Sequence, residues 1–351
     1  MFHPTNKALN LLKKLISIPS FSREETEAAN WLEFFLIKEN FRPKRKGNNI
    51  WVLSDKWDDT KPTILLNSHI DTVKPVYSWT KNPFSPLEEN KKLYGLGSND
   101  AGASLVALLQ SFFILTSRWQ PNNFIFLVSC EEEVSGSEGL GSVLTELPPI
   151  TLAVVGEPTE MQPAVAERGL MVLDGTVYGK SGHAARDEGI NAIYKAIPII
   201  NWFQNLQFPL KSDWLGSVKS TITMIQSGMQ HNIIPDICQF TVDIRSNECY
   251  TNKQLFEEII RTSPCEIKAR SLRLNSSQIS LDNPLIRRAK SFGLKPFGSL
   301  TLSDQALMNF PSLKIGPGDS SRSHIADEFV YLSEIEEAIK LYFCLLNNLT
   351  L

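Results

Sequence analysis

Apolar residues in the first part of the chain follow a helical spacing and then a strand-like one. Between Ala8 and Ile16 they recur every three or four positions, which predicts a helix that ends before Pro19. Ser22 and Glu25 match a capping box, and this pair predicts the start of a second helix. The chain therefore opens on two helices before its first strand.

Three short apolar runs follow and predict buried strands. They are Thr63–Leu66, Phe124–Val128 and Leu152–Val155, and a helix is predicted between the first two at about 103–117. Strands that alternate with helices are typical of an α/β fold, so we expect a mixed or largely parallel central sheet flanked by helices.

The pattern changes after about Arg168. Here the alternation predicts strands at Gly169–Tyr178, Ser220–Ile225 and Gln239–Arg245, with helices at about 191–206 and 253–262. This β-α-β-β-α order predicts a smaller α+β insert. We expect one domain formed by 1–167 and 279–351, interrupted by a second at 168–278, so that residues near 324 return beside residues near 69.

Composition excludes several classes of protein. The chain has 351 residues, 42% hydrophobic and 21% charged, as in an ordinary soluble protein, and its net charge of −3 disfavours nucleic acid or anionic membranes as partners. The beginning lacks a secretory signal pattern, and the apolar run Leu105–Leu115 is too short to span a bilayer. The five cysteines share no CxxC spacing, which predicts reduced thiols in a cytosolic protein.

Candidate chemistry follows the ends of the predicted strands. His69 follows the first apolar run, and Asp71, two residues on, can accept the second ring proton of a metal-bound imidazole. The segment Gly95–Gly102 lacks the Lys-Ser/Thr of a phosphate loop, so its glycines predict a tight turn that aims Asp100. Taken alone, a structural histidine and an ordinary Asn-Asp turn are equally open interpretations.

Further carboxylates and a second histidine complete the candidate set. Glu131–Glu133 follow the second strand, Glu157 follows the third, and His324 lies in the glycine-rich segment that begins at Gly316. Three adjacent carboxylates repel one another unless cations neutralise them. Taken alone, the triplet has a simpler interpretation as a run of solvated charges. Mixed imidazole and carboxylate ligands suit zinc, with cobalt or manganese as substitutes.

These five segments, in their order and spacing, resemble the dinuclear zinc aminoacylases and peptidases, including acetylornithine deacetylase and succinyl-diaminopimelate desuccinylase. The resemblance covers nearly the whole chain and implies a catalytic domain interrupted by a lid domain that dimerises. It implies that Asp100 bridges two metal ions, with His69 and Glu157 completing one site and Glu133 and His324 the other.

The resemblance also assigns the general base. In the family a base precedes a ligand in an Asp-Glu-Glu run, which implies that Glu132 is the base and Glu133 the ligand. A shift of one residue would make Glu131 the base and Glu132 the ligand. Lys-Gly often follows the bridging aspartate, whereas Ala101-Gly102 follows here, which weakens assignment to a subfamily.

The resemblance extends to the lid and to substrate binding. His183 lies in Gly179–Ala185, which resembles the family segment whose histidine stabilises the oxyanion, usually from the neighbouring subunit. Asn232 and Arg245 resemble lid residues that hold polar groups of the substrate. Arg322 is a candidate for binding a substrate carboxylate, or is simply a surface cation.

Together these features predict a metal-dependent amide hydrolase that forms a homodimer. The segments 156–163 and 316–320 resemble the acetylornithine and acetyl-lysine deacetylase branch, which implies removal of an acetyl or succinyl group from ornithine, citrulline or lysine in amino-acid biosynthesis. Succinyl-diaminopimelate desuccinylase and a di- or tripeptidase are the alternatives. An inactive metal-binding scaffold is a remote alternative, since all five ligands and Glu132 are present.

Overall fold

The computed structural model describes residues 4–186 and 188–351 and separates into two compact units. The first unit runs to Val165 and resumes over Gln278–Phe297 and Ser303–Leu351. The second unit comprises Ala166–Ser277 and Gly298–Leu302. The α/β fold predicted from the sequence is confirmed, and a smaller α+β unit interrupts it. The assignment of catalytic and lid roles to these units stays a prediction.

The α-helices of the described residues range from four to fifteen residues, and the fifth contains Pro198 within its length. They are α1 (Pro4–Ile16), α2 (Thr26–Lys38), α3 (Ala103–Thr116), α4 (Leu140–Val143), α5 (Ala192–Gln204), α6 (Asn252–Thr262), α7 (Pro284–Ser291) and α8 (Leu332–Leu346).

The strands vary from two to ten residues in length. Those that precede the second unit or lead into it are β1 (Lys44–Lys46), β2 (Asn49–Leu53), β3 (Thr63–His69), β4 (Leu87–Glu89), β5 (Lys92–Tyr94), β6 (Asn123–Ser129), β7 (Leu152–Val155) and β8 (Ala164–Glu167). The next are β9 (Gly169–Tyr178), β10 (Gly182–His183), β11 (Lys219–Ser227), β12 (Ile233–Ile234), β13 (Ile237–Ser246), β14 (Glu266–Ala269) and β15 (Ser277–Gln278). The last are β16 (Phe297–Ser299), β17 (Ser312–Lys314) and β18 (Phe329–Tyr331).

The large sheet of the first unit has a parallel centre. Its order is β1-β2-β6-β3-β7-β17-β8-β15, and the neighbours β6, β3, β7 and β17 run parallel to one another. Every residue of β3 and β6 is buried, because layers of side chains cover both faces of the sheet. The carboxyl ends of the parallel strands therefore meet at one edge, where open α/β sheets place ligands.

Helices cover one face of this sheet and shorter segments cover the other. The larger core packs α1, α2, α3, α7 and α8 against residues such as Ile64 and Phe126. The smaller core gathers Leu65, Leu127 and Leu140 on the opposite face. One helical stretch of the described residues, Ser98–Thr116, is long and apolar enough to cross a membrane, but 72% of its apolar 18-residue window is buried within the protein.

The second unit is a four-stranded antiparallel sheet with helices on one face. Its order is β11-β13-β9-β14, and burial alternates along β9, which is typical of a sheet with one covered face. The covered face packs Leu173 and Phe240 against α5 and α6. Strand β11 pairs with β13 on one side only, so its other edge is unpaired among the described residues.

The capping box predicted at Ser22 and Glu25 is wrong. Helix α2 begins at Thr26, and Glu25 at its N-cap makes no side-chain cap hydrogen bond. The Ser22 hydroxyl instead donates to Asp71 Oδ2 at 2.7 Å, and Glu25 Oε1 accepts the backbone N–H groups of Arg23 and Glu131. Both side chains therefore make hydrogen bonds outside the helix instead of capping it.

Candidate metal centre

The first unit brings all five predicted ligands to its parallel strand ends. His69 is the last residue of β3, the glutamate triplet follows β6, and Glu157 follows β7 after one glycine. Asp100 lies in the turn before α3, and His324 lies in the loop after β17. The parallel order of β6, β3, β7 and β17 brings together the four ligands that end or follow these strands. Asp100 reaches them from the turn before α3.

His69 is at the centre of the cluster and is 2% exposed. Its Nε2 lies 3.3 Å from Asp100 Oδ1 and 3.7 Å from Glu157 Oε1. Burial opposes the charged ring, but Glu157, Asp100 and Asp71 outweigh it and raise the pKa of His69 well above its usual value. Nε2 is thus directed at the carboxylates that a cation would share.

The other ring nitrogen of His69 is held by the backbone and the carboxylate of Asp71. Nδ1 lies 2.9 Å from the backbone carbonyl oxygen of Asp71 and 3.5 Å from its Oδ1. The carboxylate of Asp71 also accepts the backbone N–H groups of Glu132 at 3.1 Å and Glu133 at 3.2 Å. Asp71 therefore orients the histidine mainly through its backbone, and its side chain ties the glutamate turn to the end of β3.

The glycine turn directs Asp100 towards both histidines. Gly97 adopts φ +73°, and the Gly102 N–H donates to the Gly97 carbonyl at 2.9 Å. A Cβ at Gly102 would lie 2.4 Å from that oxygen, so the closed turn requires glycine there. The two carboxylate oxygens of Asp100 approach His69 and, at 3.6 Å, His324 Nε2.

Two of the three consecutive glutamates face the cluster. Glu133 lies 2.9 Å from His324 Nε2, and Glu132 shares a group of potential metal-binding atoms with His69 and Glu157. Glu131 faces away, and its Oε2 accepts the backbone N–H of Glu138. Glu131, the base in the shifted register, is thus the one that does not face the cluster, and the roles of Glu132 as base and Glu133 as ligand stay predictions.

Burial dominates the acidities of these carboxylates. It raises the pKa of Glu132 and of Glu157 well above the usual value, and neighbouring negative charges raise both further. It also raises the pKa of Glu133. Buried Lys314 opposes the shift at Glu157. Bound cations would favour the ionised forms and offset the cost of burying several carboxylates together.

His324 is the most exposed member of the cluster. Its side chain is 53% exposed, and its backbone adopts φ +61°, in the left-handed region. The hydrogen bond to Glu133 is the main cause that raises the pKa of His324 to about 9. The ring thus lies close to Glu133 and Asp100, the two carboxylates that the family resemblance groups with it.

The donor set fits two divalent cations. Within the described residues, two groups have ligand atoms that all lie within 4.8 Å of one another, namely His69, Glu132, Glu157 and His69, Asp100, Glu133. His324 adjoins the second group. Imidazole nitrogens and carboxylate oxygens in this proportion are the ligands of dinuclear zinc sites and also accept cobalt or manganese.

Two buried carboxylates beside the centre were missed from the sequence. Glu328, 2% exposed, accepts backbone N–H groups of the Asp100 turn, and burial followed by the charge of Asp100 raises its pKa to about 8. Asp304 accepts from the Ser129 hydroxyl at 2.5 Å, and burial raises its pKa to about 6. One sequence signal could have indicated this buried polar layer, namely the polar residue Asn67 directly after the apolar run of β3. The Asn67 side chain donates to the Ser129 hydroxyl at 3.0 Å.

The predicted lid residues belong to the second unit. Exposed His183 lies in β10, and its Nδ1 accepts the N–H of Ala185 at 3.1 Å. The Asn232 carbonyl accepts the N–H of Ala184 at 3.0 Å, so Asn232 and the His183 segment lie together. Arg245 pairs through two nitrogens with Asp243 at 2.8 and 3.0 Å. Their roles towards substrate stay predictions.

Arg322, in the first unit, is already engaged by protein groups. Both terminal nitrogens donate to Glu334 at 2.8 Å, and the guanidinium lies 4.9 Å from the Phe329 ring centre. Its hydrogen bond to Glu334 raises the pKa of Arg322. The structure thus gives Arg322 a carboxylate partner within the chain, and its binding of a substrate carboxylate stays a prediction.

Comparisons with known proteins agree with this arrangement. The sequence is 25% identical to acetylornithine deacetylase of Proteus mirabilis over 98% of this chain and 97% of that protein. It is 27% identical to succinyl-diaminopimelate desuccinylase of Orientia tsutsugamushi over 71% of this chain and 69% of that protein.

Solved structures share the fold over nearly the whole chain. A tripeptidase of Staphylococcus aureus has a TM-score of 0.78 at 18% identity and covers 97% of both chains. A dinuclear metal-binding peptidase of the M20 family from Bacillus subtilis has a TM-score of 0.74 at 17% identity, covering 98% of this chain and 97% of its own.

The family profile extends over most of the sequence. The profile of peptidase family M20/M25/M40 matches residues 65–348, a range that begins just before His69 and ends after His324. That range contains every residue of the cluster described above. The chain therefore belongs to peptidase family M20/M25/M40 and is a metal-dependent hydrolase of amide bonds.

Proposed function

We propose that this enzyme removes an acetyl or succinyl group from a small N-acyl amino acid such as N-acetylornithine, N-acetylcitrulline or N-acetyl-lysine. The single observation that carries the chemistry is the pair of potential ligand groups that share His69, one of which contains Glu132. The deacylase assignment is supported by the alignment with acetylornithine deacetylase over nearly the full length of both proteins. A role in amino-acid biosynthesis, including arginine biosynthesis, is part of this proposal.

The proposed metal assignment gives each ion its own histidine. His69 and Glu157 would hold one ion, Glu133 and His324 would hold the other, and Asp100 would be a ligand shared by both. When bound, the ions would supply Lewis acidity, which would polarise the acyl carbonyl and lower the pKa of the attacking water. Zinc is the expected metal because nitrogen and oxygen ligands are combined.

The metal assignment predicts separate losses on substitution. His69→Ala and His324→Ala should each retain at most one tightly held ion, because each change removes the only imidazole of one site. Metal analysis after gel filtration measures the stoichiometry, with His231→Ala, an exposed histidine of the second unit, as the matched control. Two full equivalents in both cluster variants would overturn the assignment.

The chain's own residues then move the proton. Glu132 accepts a proton as water oxygen bonds to the acyl carbon, and it returns that proton to nitrogen as the C–N bond breaks. His183 is proposed to donate a hydrogen bond to the developing oxyanion. Asp71 holds the ring of His69 and the backbone of Glu132 and Glu133 in place through the contacts described above.

Substrate orientation and assembly complete the proposal. Asn232, Arg245 and Arg322 are proposed to hold polar groups of the amino-acid portion. The second unit is proposed to mediate a homodimer, because the open edge of β11 carries exposed Met224 and Ile225. The cytosol is the proposed compartment, since all five cysteines lie in the described ranges and are free thiols.

A substrate panel tests the deacylase assignment. Acetyl- and succinyl-derivatives of ornithine, citrulline and lysine, succinyl-diaminopimelate and short peptides should be compared by kcat/KM with the zinc-loaded enzyme. We expect an N-acyl ornithine, citrulline or lysine to be the best substrate.

The same panel distinguishes the alternatives. Succinyl-diaminopimelate desuccinylase is favoured by relatives such as the Orientia protein, and a peptidase is favoured by the likeness in fold to the tripeptidase. A higher kcat/KM for succinyl-diaminopimelate or a peptide would replace the proposed substrate without changing the reaction.

A further inference from the structure

The buried carboxylate of Glu328 binds three backbone amides of one turn. Its Oε2 accepts the N–H of Gly97 at 3.0 Å, and its Oε1 accepts the N–H groups of Asn99 at 2.7 Å and Asp100 at 3.0 Å. The Gly95 N–H also donates to the Glu328 backbone carbonyl at 3.1 Å. Glu328 therefore accepts four of the six backbone N–H groups at 95–100. The N–H groups of Leu96 and Ser98 bond elsewhere.

The position of Glu328 links two proposed metal ligands. It lies four residues after His324 and immediately before β18, while its carboxylate holds the turn that carries Asp100. His324 Nε2 in turn lies 3.6 Å from Asp100 Oδ2. Glu328 thus fixes the backbone of one ligand from the segment that supplies the other.

We propose that Glu328 is a positioning residue that presets the Asp100 turn for divalent metal binding. The inference rests on the proposed metal site. Three of the roughly four lone-pair positions of its carboxylate face backbone donors, so Glu328 acts through Asp100 and is not itself a ligand. Partners that orient metal ligands typically change metal affinity about 10- to 100-fold when they are replaced.

Glu328→Gln tests this role with little change in size. Gln has one acceptor oxygen, so its NH₂ group must oppose at least one of the three backbone donors. Asp327→Asn is the matched control, because Asp327 Oδ1 also accepts two backbone N–H groups, those of Thr80 at 3.0 Å and Lys81 at 2.9 Å, in a different loop. Both changes replace an acidic side chain by its amide, at adjacent positions of the same segment.

The readout is zinc affinity, measured by competition with a chromophoric chelator, together with hydrogen exchange of the metal-free protein. We expect Glu328→Gln to bind zinc about 10- to 100-fold more weakly and to exchange the amides at 97–100 faster, with Asp327→Asn near wild type in both. Wild-type affinity and exchange in folded Glu328→Gln would overturn the proposal.

Two further outcomes keep the inference separate from the proposed function. If the wild-type enzyme binds no zinc, the metal assignment itself fails. If Glu328→Gln does not fold, Glu328→Asp, which keeps the carboxylate on a shorter stem, should weaken zinc binding while Asp327→Glu does not. Equal affinities in that second pair would also overturn the positioning role.

Discussion

Glu132→Gln is expected to lower kcat roughly 100-fold to 10,000-fold while the metal content stays at the wild-type level. The amide keeps the size of the side chain and loses the proton acceptor. In the structure Glu132 shares a group of ligand atoms with His69 and Glu157, so it lies close enough to the proposed ions to act on a water held there. Burial raises the pKa of Glu132, and bound cations would favour its ionised form, which is the form that accepts a proton from water.

Glu131→Gln is the control for this experiment. Glu131 faces the Glu138 amide rather than the cluster, so its replacement should leave kcat within a few-fold of wild type. Steady-state kinetics and metal analysis of both variants give the answer. If Glu131→Gln abolished turnover while Glu132→Gln lost a metal ion, the shifted register would be correct and the proposed base would be wrong.

The sequence predicts the central strands and helices well because burial dictates their patterns. The helix predicted at 103–117 is observed as α3 at Ala103–Thr116, and Gly169–Tyr178 matches β9. The short strands β4, β5 and β18, which form a separate antiparallel sheet, were not predicted. Each has only three residues, too few for alternation to distinguish a strand from a loop.

Side chains that support the site could not be predicted in the same way. Ser22 and Glu25 satisfied a local rule for the start of a helix, yet they contact Asp71 and the amide of Glu131 from distant parts of the sequence. Glu328 likewise contacts residues more than 220 positions away. Such carboxylates bind backbone amides, which carry no residue-specific signal, so only the folded chain reveals their partners.

The ligands themselves could be predicted because their chemistry leaves a pattern. Imidazoles and carboxylates directly after apolar strands are costly unless they bind something, and a parallel sheet gathers such positions at one edge. Asp71 shows the limit of this reasoning. Its proximity to His69 was expected, whereas the nearer contact is made by its backbone carbonyl, and its carboxylate mainly binds the turn of Glu132 and Glu133.

His183→Ala is expected to lower kcat roughly 100- to 1,000-fold without loss of metal, which corresponds to about 2.7–4 kcal/mol for an oxyanion donor. Because His183 Nδ1 accepts the Ala185 N–H, the proton of the neutral ring lies on Nε2, which is then a donor. The imidazole is exposed and belongs to the second unit. His231→Ala, an exposed histidine of the same unit, is the matched control and should keep wild-type turnover.

The proposed dimer makes this donor testable across subunits. If His183 serves the partner's site, a mixed dimer of His183→Ala and Glu132→Ala chains contains one site with intact Glu132 and an intact His183 from the other chain. Activity should therefore reappear on mixing two nearly inactive variants, approaching one quarter of the wild-type value per total subunit when exchange is random. Native mass spectrometry must confirm that mixed dimers form. Their presence without recovery would mean that His183 acts within its own chain or contributes nothing to the oxyanion.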